Sequence, residues 1–125
     1  MNYPRRTIQR ARRAIACSPF CKTLFATMAL QSVGLAEVAG ASGVAHRYTR
    51  KPVSEGAAER SLLWLIQVGL LRREVDGQGL TDSFRLTPLG RLSIEQWQQQ
   101  GETFRRVTWG DRLQDFFHRL LGGAV

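Results

Sequence analysis

The apolar pattern of this chain changes period at Gly69, and that change constrains the fold more than any other feature. Before Gly69, the residues Ala58, Leu62, Leu65 and Ile66 recur at helical spacing. They follow Ser54, a good N-cap, and Glu55, an acid where the helix dipole favours one. Gly69 stands where a helix C-terminal glycine belongs. Beyond it the period falls to two. Residues 70–75 (LLRREV) and 83–87 (SFRLT) predict two strands around DGQGLTD, a β-hairpin with a seven-residue tip. Thr87-Pro88 then caps a helix over 88–100, with Leu89, Leu92 and Trp97 inward and Gly101 ending it. The fold class is mostly α with a small β-hairpin, α+β.

Upstream, Pro4, Ile8, Ala11 and Ile15 predict a helix over residues 4–16 with a narrow apolar stripe among arginines. Ser18-Pro19 predicts a second helix over about 19–31, with Phe20, Leu24, Met28 and Gln31 on one face. A short helix over 35–41, a tight turn at Gly43-Val44 and a polar loop over 45–53 follow. Near the end, Trp109, Leu113, Phe116, Phe117, Leu120 and Leu121 make a heavy apolar stripe on an amphipathic helix. At 125 residues the chain suits one domain. Residues 1–17 are expected as a basic helix packed on or extending the core, 18–101 as the central unit, and 102–125 as a C-terminal amphipathic helix. The last stripe is larger than one neighbouring helix of a small domain easily covers, so Trp109, Leu113, Phe116, Phe117 and Leu120 are expected at a homodimer interface, the alternative being packing against the chain's own N-terminal helix.

The net charge is +8, and its distribution is lopsided. Residues 1–53 hold nine bases and a single acid, Glu37, whereas residues 54–125 hold nine of each sign. Such asymmetry points to a polyanion, nucleic acid before membrane. Sixteen of the eighteen bases are arginine, whose planar fork suits phosphate oxygens and guanine edges. Two groups stand out: Arg5, Arg6, Arg10, Arg12 and Arg13 on the first helix, and His46, Arg47, Tyr48, Arg50 and Lys51 just before the helix that ends at Gly69.

The run Gly69-Leu70-Leu71, with Arg73 after it, leads into the hairpin, and Leu86, Thr87 and Gly90 lead out of it. In this setting the chain resembles the winged helix-turn-helix domains of small bacterial and archaeal transcription regulators, over roughly residues 20–100. The whole chain is also similar to a small uncharacterised family of cyanobacterial proteins. The first resemblance implies a recognition helix over about 54–69 and a wing at the hairpin. It also implies DNA binding as a small transcriptional regulator. The usual contact surfaces depart from that pattern. The recognition helix exposes Glu55, Glu59 and Gln67 beside Arg60, and the wing tip has Asp76 and Asp82 but no base. Contacts are therefore expected from Arg5, Arg6, Arg10, Arg12, Arg13, Arg47, Tyr48, Arg50, Lys51 and Arg60. Arg47 and Arg50 could instead pair with Glu55 or Glu59. The other readings are a protein-interaction module, with a partner at the acidic recognition helix and wing, and RNA binding through the arginine-rich N-terminal region with Tyr48 stacking.

No catalytic motif is present: no Gly-rich phosphate loop with Lys-Ser/Thr, no HExxH, and no nucleophile set beside His46 or His118. Cys17 and Cys21 lack a second pair for zinc and are expected as small buried thiols. No cofactor, metal or membrane partner is expected. Ser18-Pro19 and Lys22 interrupt the start of the chain too early for a signal peptide, so the expected compartment is the cytoplasm.

Overall fold

The computed structural model describes residues 3–100. The spacing of Ala11, Ala14 and Ile15 gives the first helix, α1 (Arg5–Cys17), one apolar face, and these three side chains are fully buried. Ser18 closes this helix rather than opening the next. Its hydroxyl donates to the Ile15 carbonyl at 2.8 Å, and its Oγ accepts from the Phe20 N–H at 3.4 Å. Phe20 is held extended, opposite Thr49 in an antiparallel bridge, and the Cys21 N–H donates to the Tyr48 carbonyl at 2.8 Å. Extended backbone cannot also be helical, so the second helix, α2 (Lys22–Met28), starts later and ends earlier than residues 19–31. Gln31, expected inward, is exposed. Beyond α2, the carbonyls of Ala29 and Leu30 accept from Arg91 at 2.8 Å and Arg85 at 3.4 Å. These cations sit where the helix dipole is negative.

The two-residue strand β1 (Val33–Gly34) leads into α3 (Leu35–Val38). The expected helix over 35–41 breaks at Ala39, whose ψ is 153°, and a further helix, α4 (Gly40–Ala45), follows. The Gly40 N–H donates to the Val53 carbonyl at 2.7 Å, a contact across the loop that draws the chain out of α3. Gly43 is therefore inside a helix, not a turn. A Cβ there would lie 2.0 Å from the Val38 carbonyl oxygen, so glycine is what lets α4 cross α3.

The helix α5 (Glu55–Gln67) follows the sequence closely. Ser54 Oγ accepts from the Ala57 N–H at 3.2 Å, and Ala58, Leu62 and Leu65 are fully buried. Ile66 is only half-buried, and Trp64 is in the core instead. The strand β2 (Leu71–Asp76) is shifted one residue along from the expected 70–75, β3 (Gly79–Leu86) starts four residues earlier than expected, and Gly77-Gln78 alone make the tip. Side chains extend the pairing: the Thr81 hydroxyl donates to the Glu74 carbonyl at 3.0 Å, and the Asp76 carboxylate accepts the Gln78 N–H at 2.7 Å. The sheet is antiparallel in the order β1-β3-β2, with Val33 and Arg73 both opposite Phe84.

The last described helix, α6 (Pro88–Gln100), matches its expected span. It is latched to the end of α5. The Thr87 hydroxyl meets the Gly69 and Leu70 carbonyls and accepts the Gly90 N–H at 3.0 Å. A Cβ on Gly90 would lie 2.4 Å from the Leu70 carbonyl oxygen, so this helix could not approach so closely with any other residue. Phe25 links the helices in the core, 6.4 Å from Phe20 and 6.2 Å from Trp97 between ring centres. The expected interface residues Trp109, Leu113, Phe116, Phe117 and Leu120, and the segment 102–125, lie outside the described residues.

Candidate nucleic-acid interface

The connection between α4 and α5, residues 46–54, contains no acid, nor does α4 itself. It is fastened to the body at several points. Tyr48 is 5% exposed and belongs to the core, its carbonyl accepts from Cys21, Thr49 opposes Phe20, and the Val53 carbonyl accepts from Gly40. The His46 ring lies on the Tyr48 ring, 5.1 Å between centres and 15° from parallel. The His46 Nδ1 sits 2.8 Å from the Ser42 carbonyl, which can only accept, so that nitrogen carries the proton. Between these anchors Arg47, Arg50 and Lys51 are exposed. Among the described residues no acid pairs with them, so the expected alternative of a network with Glu55 or Glu59 does not form there. Arg50 and Lys51 also edge a cleft of about 260 Å³, with Ser18, Pro19, Cys21 and Val53 as its other walls.

Tyr48 is a correction. It was expected to offer a ring for stacking on bases, but its side chain fills the core beneath the loop and leaves only neighbours outside. Arg60 is exposed on α5, and its guanidinium lies back over Gly56, 3.4 Å from where a Cβ there would stand. Around it are Glu55 and Gln67, both exposed, half-buried Glu59, and Leu63, which is 39% exposed. On α1, Arg5 and Arg6 are exposed, whereas Arg10, Arg12 and Arg13 are half-buried. The structure thus gathers Arg47, Arg50 and Lys51 on one loop and keeps the N-terminal arginines on a separate helix.

The hairpin arginines are engaged differently, which sequence reasoning did not detect. Glu74 takes Arg72 at 3.0 Å and Arg85 at 3.3 Å, and the Arg73 guanidinium lies 5.6 Å from the Phe84 ring centre. Also unforeseen is an apolar cross-strand pair near the tip, Val75 opposite Leu80, at 65% and 70% exposure. The alternation of β2 and β3 contained this signal once the strands were extended to Asp76 and Gly79.

Cys17 and Cys21 are not joined in a disulfide. Both are half-buried rather than buried as expected, because they stand at the end of α1 and at the N-cap of α2. Among the described residues no three His, Cys, Asp or Glu side chains come together as a metal site, and no helix is long and apolar enough to cross a membrane.

A family model described as Npun_F0494-like matches residues 1–119. The chain belongs to the Npun_F0494-like family. The match includes α1 through α6 and therefore both groups of cations. No curated protein and no solved structure matches the chain.

Proposed function

We propose that this member of the Npun_F0494-like family binds DNA through a winged helix-turn-helix, as a small transcriptional regulator. What supports the fold reading is the sequence of elements from α2 to β3, the strand order β1-β3-β2, and a hairpin that directly follows the candidate recognition helix α5. In such domains one helix enters the major groove and the elements before it meet the backbone. The observation that carries the binding reading is the loop before α5, where Arg47, Arg50 and Lys51 are exposed without an acid between Gly40 and Ser54. On α5, Glu59 would accept from a cytosine amine and so bias the sequence read.

The test is the salt dependence of binding to one duplex. Removing a cation that neutralises one phosphate flattens the plot of log K against log salt by about 0.9. Changing Arg47, Arg50 and Lys51 together to alanine is expected to weaken binding to all sequences and flatten the slope by about two to three units. An unchanged slope removes the loop from the interface.

A second reading, a protein-interaction module, is favoured by one observation: the exposed Val75–Leu80 pair flanked by Asp76 and Asp82. It takes precedence if the wild-type chain has no duplex affinity at low salt. The RNA reading loses its stacking ring with Tyr48 in the core.

A further inference from the structure

We propose that Arg47 is the loop's fixed phosphate contact, presented from a left-handed backbone that the chain retains against its own stability. The inference rests on the DNA-binding reading above and assigns that surface its anchor.

Arg47 has φ +64°, and among the described residues every other positive φ belongs to a glycine: Gly40, Gly69 and Gly79. The left-handed region crowds the Cβ of any L-residue against the following carbonyl. The position is also one that helices usually fill with glycine. It comes two residues after the last residue of α4, and the ending has both bonds of the glycine-type cap: Tyr48 N–H to the Gly43 carbonyl at 2.8 Å and Arg47 N–H to the Val44 carbonyl at 3.0 Å. The chain therefore holds an arginine where glycine would serve the backbone better.

The two cap bonds are backbone bonds that glycine would make equally, so they account for the left-handed turn and not for an arginine side chain at it. The Arg47 side chain is exposed, and among the described residues it has no ion pair. Its backbone, by contrast, is clamped on both sides. His46 is held by the Ser42 carbonyl and by its ring contact with Tyr48, and Tyr48 is held by burial and by Cys21. With its backbone already fixed, Arg47 gives up only side-chain freedom when it meets an anion, which is where a preorganised contact gains affinity. Strain that glycine would relieve, kept for a side chain with no partner in the described fold, is characteristic of binding positions. Arg50 and Lys51, three and four residues on, extend the same basic loop.

The experiment uses the full chain with Arg47→Gly and Arg47→Lys, each followed by chemical denaturation and by titration of a mixed-sequence DNA duplex at several salt concentrations. Arg47→Gly is expected to raise the folding equilibrium constant roughly two- to five-fold, the backbone relief being partly offset by glycine's larger unfolded-state freedom. The same variant is expected to flatten the salt slope by about 0.9. Arg47→Lys keeps both the strain and the charge, so its stability and slope stay at wild-type values. A glycine variant no more stable than wild type, or one with the wild-type slope, overturns the proposal. In that case a flattened slope in Arg50→Ala/Lys51→Ala would leave the DNA-binding reading standing. A wild-type chain without duplex affinity at low salt overturns both.

Discussion

The loop before α5 and the hairpin after it are both fastened to the same core, yet they use arginine in opposite ways. In the hairpin, Arg72 and Arg85 share Glu74, Arg85 also reaches the Leu30 carbonyl, and Arg73 lies over Phe84. In the loop, Arg47, Arg50 and Lys51 have no acidic partner among the described residues. Of the hairpin's two pairs, the more exposed one, Arg72–Glu74, contributes at most about 1 kcal/mol. The loop's cations have no such carboxylate to offset their mutual repulsion. Charge counted by residue type gives both regions their arginines alike, and only the internal pairing tells the engaged cations from the exposed ones.

Three perturbations break or sharpen this contrast. The largest concerns the loop's anchor: Phe20→Ala removes a fully buried ring opposite Thr49 and is expected to cost about 3–5 kcal/mol in chemical denaturation. Duplex affinity should fall with it, since the loop loses its seat; unchanged affinity would show that the loop needs no support. Next comes neutralisation of the hairpin by Asp76→Asn with Asp82→Asn. Binding to a duplex is expected to strengthen by no more than about five-fold, through the loss of exposed repulsion. Weakened binding would place the contact on the hairpin and reverse the comparison. The smallest effect belongs to Val75→Ser with Leu80→Ser. Both side chains are mostly exposed, so stability should change by less than about 0.5 kcal/mol and the salt slope should not move. A flattened slope there would make the apolar tip part of the DNA surface.

Much of the fold was legible because local signals and tertiary demands agree. Ser54, the stripe behind it and Thr87-Pro88 each carry their own cap and period, and α5 and α6 begin where those signals stand. The misread stretches are those where a distant partner decides. Phe20 is extended because of Thr49, and α3 ends because Gly40 reaches Val53. Arg91 and Arg85 act on carbonyls 62 and 55 residues away. In the candidate site, the cations of the loop were visible as charge in the sequence. The burial of Tyr48 was not, since a single inward ring within a polar stretch has no period to reveal it. Nor does any local pattern announce that an arginine occupies a left-handed position.

The latch at Thr87 has a mechanical consequence. Both strands of the hairpin depart from and return to one clamped point, where Thr87 meets the Gly69 and Leu70 carbonyls and Gly90 presses against Leu70. The strands stay fastened as far as Ser83 and Phe84, which pair with β1, and what projects beyond them is a cantilever whose free end is Gly77-Gln78. Exposed tips of this kind are where chains accept inserted residues. An insertion or a change of residues at Gly77-Gln78 would therefore leave α5 and α6 in their places.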